Sequence, residues 1–114
     1  MPFDPAPRTQ PENERSQKEN GRFAHFADAM LRGCAVTKPL TDGGCFADGG
    51  TRACALGALW LGVKGVPTDY DPEVFREFRP LLNAYCERYG SNLFYENDDG
   101  LFTREQIAER IRAL

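Results

Sequence analysis

The 114-residue sequence has little excess charge, no long apolar run and a single histidine. Fourteen basic and seventeen acidic side chains leave a net charge of −3. This balance argues against nucleic acid as the main partner, because phosphate binding needs clustered Lys and Arg. The longest uncharged apolar run, residues 53–63, has eleven residues, whereas a bilayer requires about twenty. We therefore expect neither nucleic acid nor a membrane to be a partner.

Export signals are also missing from the sequence. Residues 1–5 contain no basic segment leading into an apolar one, and no Asn-x-Ser/Thr acceptor occurs. We therefore expect a cytoplasmic protein, in which Cys34, Cys45, Cys54 and Cys86 stay reduced. An exported chain could pair these four cysteines in three ways, and the sequence does not choose among them.

Composition divides the chain into two parts. Residues 1–19 carry four of the eight prolines and a polar run, and such a segment buries too little surface to offset its ordering entropy. We predict an extended arm laid across a surface, with Phe3 as its one large contact residue. Residues 20–114 hold the apolar side chains and are predicted to form a single helical domain.

Hydrophobic periodicity and capping residues predict four helices in that domain. The first carries an apolar stripe from Phe23 to Leu31 and ends at Gly33. The second runs from Thr51 to about Leu61 and is apolar on every face, so we expect it to be central and buried. Small residues along it predict close approach by neighbouring helices.

The last two helices are marked by proline and by capping residues. The third spans residues 71–90 and should break near Pro80. The fourth begins with a capping box formed by Thr103 and Gln106. Turn residues predict a loop or a short hairpin within residues 34–50. Residues 91–100 should cross the surface of the core as an extended segment that ends in an acidic turn.

One glycine-rich loop has the spacing of a phosphate-binding loop. In Gly44-x-x-x-x-Gly49-Gly50-Thr51, however, Gly50 stands where the lysine belongs, so nucleotide binding is disfavoured. A simpler anion site at the start of the second helix stays open, because free backbone N–H groups there lie beside Arg52. The candidate ligand-binding residues of this Gly43–Arg52 loop are Gly49, Gly50, Thr51, Arg52 and Cys45.

The cysteines and the histidine do not form a recognised site in the sequence. No Cys-x-x-Cys pair occurs, so a zinc site is disfavoured. His25 lies off the apolar stripe and should be a surface residue. Cys54 and Cys86 are predicted to be core residues, whereas Cys34 and Cys45, in loops, are the more reactive candidates. We nominate no metal ligand, no cofactor and no catalytic residue.

Three other patterns are explained by ordinary structure. The acidic turn at residues 96–100 lacks two ligand positions of a calcium-binding hand. The last helix resembles the first half of a helix-turn-helix, but no recognition helix follows it. Paired carboxylates such as Glu96 and Asp98 are expected to be solvated.

The Cys-Ala-Leu-Gly-Ala run at residues 54–58, the Asn97-Asp98 turn and the capped helix from Thr103 together resemble small bacterial and phage proteins. The resemblance covers about residues 20–114. It implies a structural role for these motifs and an accessory gene of a mobile element, and it implies no catalytic residues.

These observations predict a compact all-α domain of four helices around a central apolar helix. The leading functional hypothesis is a non-enzymatic protein-interaction module that forms a homodimer or binds a protein partner through Phe3, Phe94 and Tyr95. The alternative is a small-molecule or anion binder, with or without catalysis, that uses the Gly43–Arg52 loop.

Overall fold

The computed structural model describes residues 21–41 and 43–114, which form six helices and a small three-stranded sheet. The predicted arm and Phe3 lie outside the described residues. The helices are α1 (Ala24–Ala35), α2 (Ala55–Lys64), α3 (Asp71–Glu77), α4 (Arg79–Tyr89), α5 (Leu93–Asp98) and α6 (Arg104–Arg112). The strands are β1 (Lys38–Pro39), β2 (Phe46–Ala47) and β3 (Arg52–Ala53).

The fold is mostly helical, as predicted, but it is not purely helical. The strand order is β1-β3-β2, with β1 parallel and β2 antiparallel to β3. The strands β1 and β2 do not pair with each other, as a hairpin within residues 34–50 would require. Both pair with β3, which lies in the segment that the sequence predicts as the start of the second helix. A turn of 3₁₀ helix at Asp48–Gly50, with positive φ at Asp48, Gly49 and Gly50, reverses the chain between β2 and β3.

Helix α2 is buried, as its all-round apolar sequence predicts. Its residues from Ala55 to Trp60 are all buried. The indole Nε1 of Trp60 donates to the carbonyl of Val66 at 2.9 Å. The helix begins at Ala55 and not at Thr51, because the preceding residues are committed to the sheet. It ends at Lys64, and the next residue, Gly65, provides a left-handed cap with a φ of 86°.

Close contact between α1 and α2 depends on two glycines. A Cβ on Gly33 would lie 1.9 Å from the carbonyl oxygen of Ala58, and a Cβ on Gly62 would lie 1.8 Å from that of Ala29. The predicted close approach is thus confirmed. The prediction that Gly33 caps α1 is wrong, since α1 continues to Ala35 and Gly33 is a packing residue within it.

The C-terminal half follows its sequence signals with one exception. The expected break near Pro80 is confirmed by the change of direction at Phe78 between α3 and α4. The capping box of Thr103 and Gln106 is present at the start of α6. Residues 93–98, expected to be extended, form α5 because Leu93, Glu96 and Asn97 turn one buried helical face toward the core.

The buried apolar side chains form one cluster that draws on α1 to α6, and α1 packs along both α2 and α6. None of the described helices is long and apolar enough to cross a membrane.

Candidate functional site

Two cysteines face each other where the sheet meets helix α2. Strands β2 and β3 pair Phe46 with Ala53 and Ala47 with Arg52. Continuing this register places Cys45 opposite Cys54, and the Cys54 N–H donates to the Cys45 carbonyl at 3.1 Å. Directly opposed residues of antiparallel strands have side chains on the same face of the sheet. The two thiols are therefore neighbours.

Cys54 also caps helix α2. Its backbone is extended, and its Sγ accepts a hydrogen bond from the Gly57 N–H at 3.4 Å. The first backbone N–H groups of a helix have no partner within the helix and carry partial positive charge. A thiolate at Cys54 is stabilised by this position, as is typical of reactive cysteines at helix N-termini.

The environment pushes the pKa values of the two thiols apart. A hydrogen bond from the Cys45 thiol lowers the pKa of Cys54, and the N–H groups of Gly57 and Leu56 lower it further against the opposing effects of burial and of Asp98. The pKa of Cys45 is raised, first by its bond to Cys54, then by burial and by the nearby Asp71 carboxylate. Within the pair, the Cys54 thiol therefore loses its proton more readily than the Cys45 thiol.

The thiol pair forms part of the wall of a small cavity of about 230 Å³. The other lining residues are two glycines, two carboxylates and three aromatic side chains: Gly43, Gly44, Asp71, Asp98, Phe75, Phe94 and Tyr95. Cys45 and Cys54 are only 3% and 4% exposed, so only a small reagent could reach them. Asp71 also accepts a hydrogen bond from the Cys45 N–H at 3.4 Å, which joins the start of α3 to this wall.

Asn97 holds α5 against the same end of α2. Its Oδ1 accepts from the Ala55 N–H at 3.0 Å, and its Nδ2 donates to the Leu40 carbonyl at 2.9 Å. The side chain is 2% exposed, so these bonds are shielded from water. Asn97 thereby places its neighbour Asp98 and the ring of Phe94 beside the thiols.

A second, larger cavity of about 680 Å³ lies next to the first and shares Asp71 with it. Its lining includes Phe46, Asp69 and the turn glycines Gly49 and Gly50. The two cavities therefore adjoin each other beside the sheet.

The predicted anion-binding residues do not meet at a helix N-terminus. Thr51 is exposed and its Oγ1 donates to the Asp48 carbonyl at 2.9 Å, which closes the turn. Arg52 is held 3.7 Å from the Asp48 carboxylate. The N-terminus of α2 lies at Cys54, where Asn97 and the Cys54 sulfur already accept its N–H groups. Of that candidate set, only Cys45 lines the smaller cavity.

The cysteines predicted to lie in loops do not lie there as exposed thiols. Cys34 lies within the last turn of α1, and burial raises its pKa to about 11. Cys45 is buried beside Cys54, and its pKa is raised. Cys54 is a core residue, as predicted, but its pKa is lowered by its hydrogen bonds. His25 is exposed, as predicted.

The two described residues predicted to mediate protein contacts differ in their surroundings. Phe94 packs edge-on against Phe75, with 5.1 Å between ring centroids. Tyr95 is 58% exposed.

The expectation that Glu96 is solvated is wrong, because the residue is only 4% exposed. It accepts a hydrogen bond from the Tyr85 hydroxyl at 2.5 Å and lies 3.3 Å from the Arg110 guanidinium. This cluster joins α4, α5 and α6 and does not line either cavity.

No group of three or more His, Cys, Asp or Glu in the described ranges is arranged to hold a metal ion.

Compared with family models, with curated proteins and with solved structures, the chain matches none. The resemblance to small bacterial and phage proteins stays a prediction.

Sequence reasoning missed Asp71, Asp98, Asn97 and the pairing of the two thiols. One signal was present, because Cys45 and Cys54 are symmetric about Gly49-Gly50, as opposed residues of a hairpin are. The contributions of α3 and α5 had no signal in the sequence, since they depend on contacts between distant segments.

Proposed function

We propose that the protein carries out thiol–disulfide exchange with small disulfides, using Cys54 as the attacking thiolate and Cys45 as the resolving thiol. The observation that carries the proposal is the opposition of the two cysteines at the wall of a cavity, with Cys54 at the start of α2. Opposed residues of antiparallel strands have Cα atoms about 4.5–5.5 Å apart. This separation falls within the range of about 4.4–6.8 Å that a disulfide requires.

The first step is attack by the Cys54 thiolate on one sulfur of the substrate disulfide. A bond forms between Cys54 Sγ and that sulfur, the substrate S–S bond breaks, and the other half leaves as a thiolate that takes a proton from water. The product on the protein is a mixed disulfide at Cys54.

The second step is resolution by Cys45. Once Cys54 carries the substrate half, Cys45 no longer donates a hydrogen bond to a thiolate, and the main cause of its raised pKa is removed. The Asp71 carboxylate is placed to accept its proton. Cys45 sulfur then bonds to Cys54 sulfur and expels the second half of the substrate, so that one disulfide is reduced as the dithiol is oxidised. Two molecules of a small external thiol reverse the two steps in turn, so that the dithiol is restored and the two thiols leave as one disulfide.

The test uses the full chain and bis(2-hydroxyethyl) disulfide, a small neutral reagent. We expect the wild type to release two thiols and form a Cys45–Cys54 disulfide, identified by peptide mass mapping. Cys45→Ser should stop at a stable adduct of one substrate half on Cys54, whereas Cys54→Ser should form neither product at these positions.

Cys34→Ser and Cys86→Ser provide matched controls, since both residues are half-buried thiols outside the cavity. They should leave the exchange rate unchanged. A wild type that never links Cys45 to Cys54, or a Cys54→Ser variant that reacts at Cys45 as fast as the wild type, would refute the proposed function.

A second proposal is self-association or binding of a protein partner, as first predicted. The exposure of Tyr95 favours it, because a large aromatic ring in solvent offers apolar surface to a partner. Phe94 packs against Phe75, so we expect Tyr95 to contact the partner.

All four cysteines are free thiols, which is typical of proteins in a reducing compartment. We therefore propose the cytoplasm as the location.

A further inference from the structure

We infer that the dithiol cavity selects disulfides whose organic halves carry a positive charge, such as a protonated amine. The inference rests on the proposed exchange reaction and names the class of substrate for it. It is carried by the side chains that surround the thiols and not by the thiols themselves.

The charged side chains that line the two cavities are all aspartates. Asp71 and Asp98 line the smaller cavity, and Asp69 and Asp71 line the larger one. Neither lining contains Lys, Arg or His among the residues that the structure describes. A bound ammonium group would therefore meet only negative charge, whereas a bound carboxylate would be repelled.

Three basic side chains of the described part of the chain are held in contacts outside the two cavities. Arg52 pairs with Asp48 at 3.7 Å, and Arg110 pairs with Glu96 at 3.3 Å. Arg104 is 5% exposed, and its guanidinium donates to the carbonyls of Thr37 and Ala53. None of these three arginines lines a cavity, so none of them pairs directly with the carboxylates there.

Aromatic side chains add a second attraction for a cation. Phe75, Phe94 and Tyr95 line the cavity that contains the two carboxylates, and their ring centroids follow one another at 5.1 and 4.6 Å. The face of an aromatic ring attracts an ammonium group through its quadrupole. Carboxylates together with aromatic rings are the combination that favours an organic cation over a neutral molecule of the same size.

The test compares three small disulfides of similar size. Cystamine carries two ammonium groups, bis(2-hydroxyethyl) disulfide is neutral, and dithiodiglycolate carries two carboxylates. Each exchange rate at Cys54 is divided by the rate of the same reagent with the neutral thiol 2-mercaptoethanol, which removes intrinsic differences in reactivity. We expect the normalised rate of cystamine to exceed that of the neutral reagent by about tenfold at low ionic strength. Dithiodiglycolate should be slower than the neutral reagent.

Asp98→Asn should reduce the ratio of the cystamine rate to the neutral rate by several-fold. The ratio is the useful quantity, because Asp98 also raises the pKa of Cys54 and its removal changes both rates together. Asp99→Asn is the matched control, since Asp99 is the next residue, is exposed and lines neither cavity. It should leave the ratio unchanged.

The two proposals fail in different ways. Equal normalised rates for the three reagents, or a ratio that Asp98→Asn and Asp99→Asn change alike, would overturn charge selection and leave the exchange reaction standing. No exchange with any of the three reagents would overturn both.

Discussion

Cys54 shows how much a single position in a helix decides about a thiol. The same side chain inside α2 would be an inert apolar group, but at the N-cap it accepts a backbone hydrogen bond. The neighbouring Cys45 thiol adds a hydrogen bond that favours the thiolate.

We predict that Cys54 reacts with iodoacetamide at lower pH than an ordinary thiol. Because its pKa is lowered, the thiolate is already present as pH rises toward the usual thiol value of about 8.5, and the rate reaches its half-maximum below that value. The measurement is the pH profile of alkylation in a Cys34→Ser, Cys86→Ser background.

The cause of this shift is tested at Cys45. Cys45→Ala removes the donor and should move the half-maximum to higher pH, whereas Cys45→Ser retains a hydroxyl donor and should move it less. A profile centred at or above about pH 8.5 in the parent background would contradict the assignment of Cys54 as the thiolate.

Gly33 is the second residue whose role depends on a neighbour. Alanine normally stabilises a helix by about 1 kcal/mol relative to glycine. At position 33, however, a Cβ would overlap the Ala58 carbonyl at 1.9 Å. We expect Gly33→Ala to lower the free energy of unfolding by about 1–3 kcal/mol, measured by urea denaturation. Gly44→Ala, with its nearest contact at 3.6 Å, serves as the control. Equal stabilities of these two variants would show that α1 and α2 can separate without cost.

At the scale of the element, the side-chain amide of Asn97 holds α5 in place, and no capping side chain does so. The short helix has no side-chain cap at Asn92, but Asn97 bonds to both Ala55 and Leu40. The amide of Asn97 thus links the first residue of α2 to Leu40, the residue that follows β1. The cavity lies beside this end of α2.

We predict that Asn97→Ala lowers the free energy of unfolding by about 2–4 kcal/mol, because a buried N–H and a buried carbonyl both lose their partner. Chemical denaturation gives the value. Asn92→Ala is the matched control and should change stability by less than about 0.5 kcal/mol. A loss at Asn97 no greater than at Asn92 would mean that α5 is held by its apolar contacts alone.

At the scale of the whole molecule, the described helices share one apolar cluster, and the single tryptophan lies in it. A domain with one core is expected to unfold in one step. We predict that Trp60 fluorescence and far-ultraviolet circular dichroism report the same midpoint in urea. Separate midpoints would show that α2 loses its environment before or after the remaining helices melt.

Self-association is also a property of the whole chain. If residues 1–19 join two copies, light scattering should give the mass of a dimer for the full chain and of a monomer after deletion of those residues. Tyr95→Ser should weaken the dimer if the exposed ring contributes to it, whereas Tyr70→Ser, at a ring of 55% exposure, is the control. A full chain that is already monomeric would remove this proposal.

The sequence by itself determined most of the helices, because their signals are local. Periodicity, the proline near Phe78 and the capping box at Thr103 each act within a few residues, and the structure confirms all three. It also determined that α2 is buried, since a segment apolar on every side has no face to offer to water.

Only the tertiary structure decided where α2 begins, that Glu96 and Asn97 are buried, and that two cysteines meet beside Asp71 and Asp98. The first two depend on contacts between segments far apart in the chain, such as β3 with β1 or Asn97 with Leu40. The pairing of the two cysteines has a local signal in the symmetry of the hairpin, but the cavity around them also needs Asp71 from α3 and Asp98 from α5. No local pattern of residues encodes that cavity, because it forms through the packing of the whole domain.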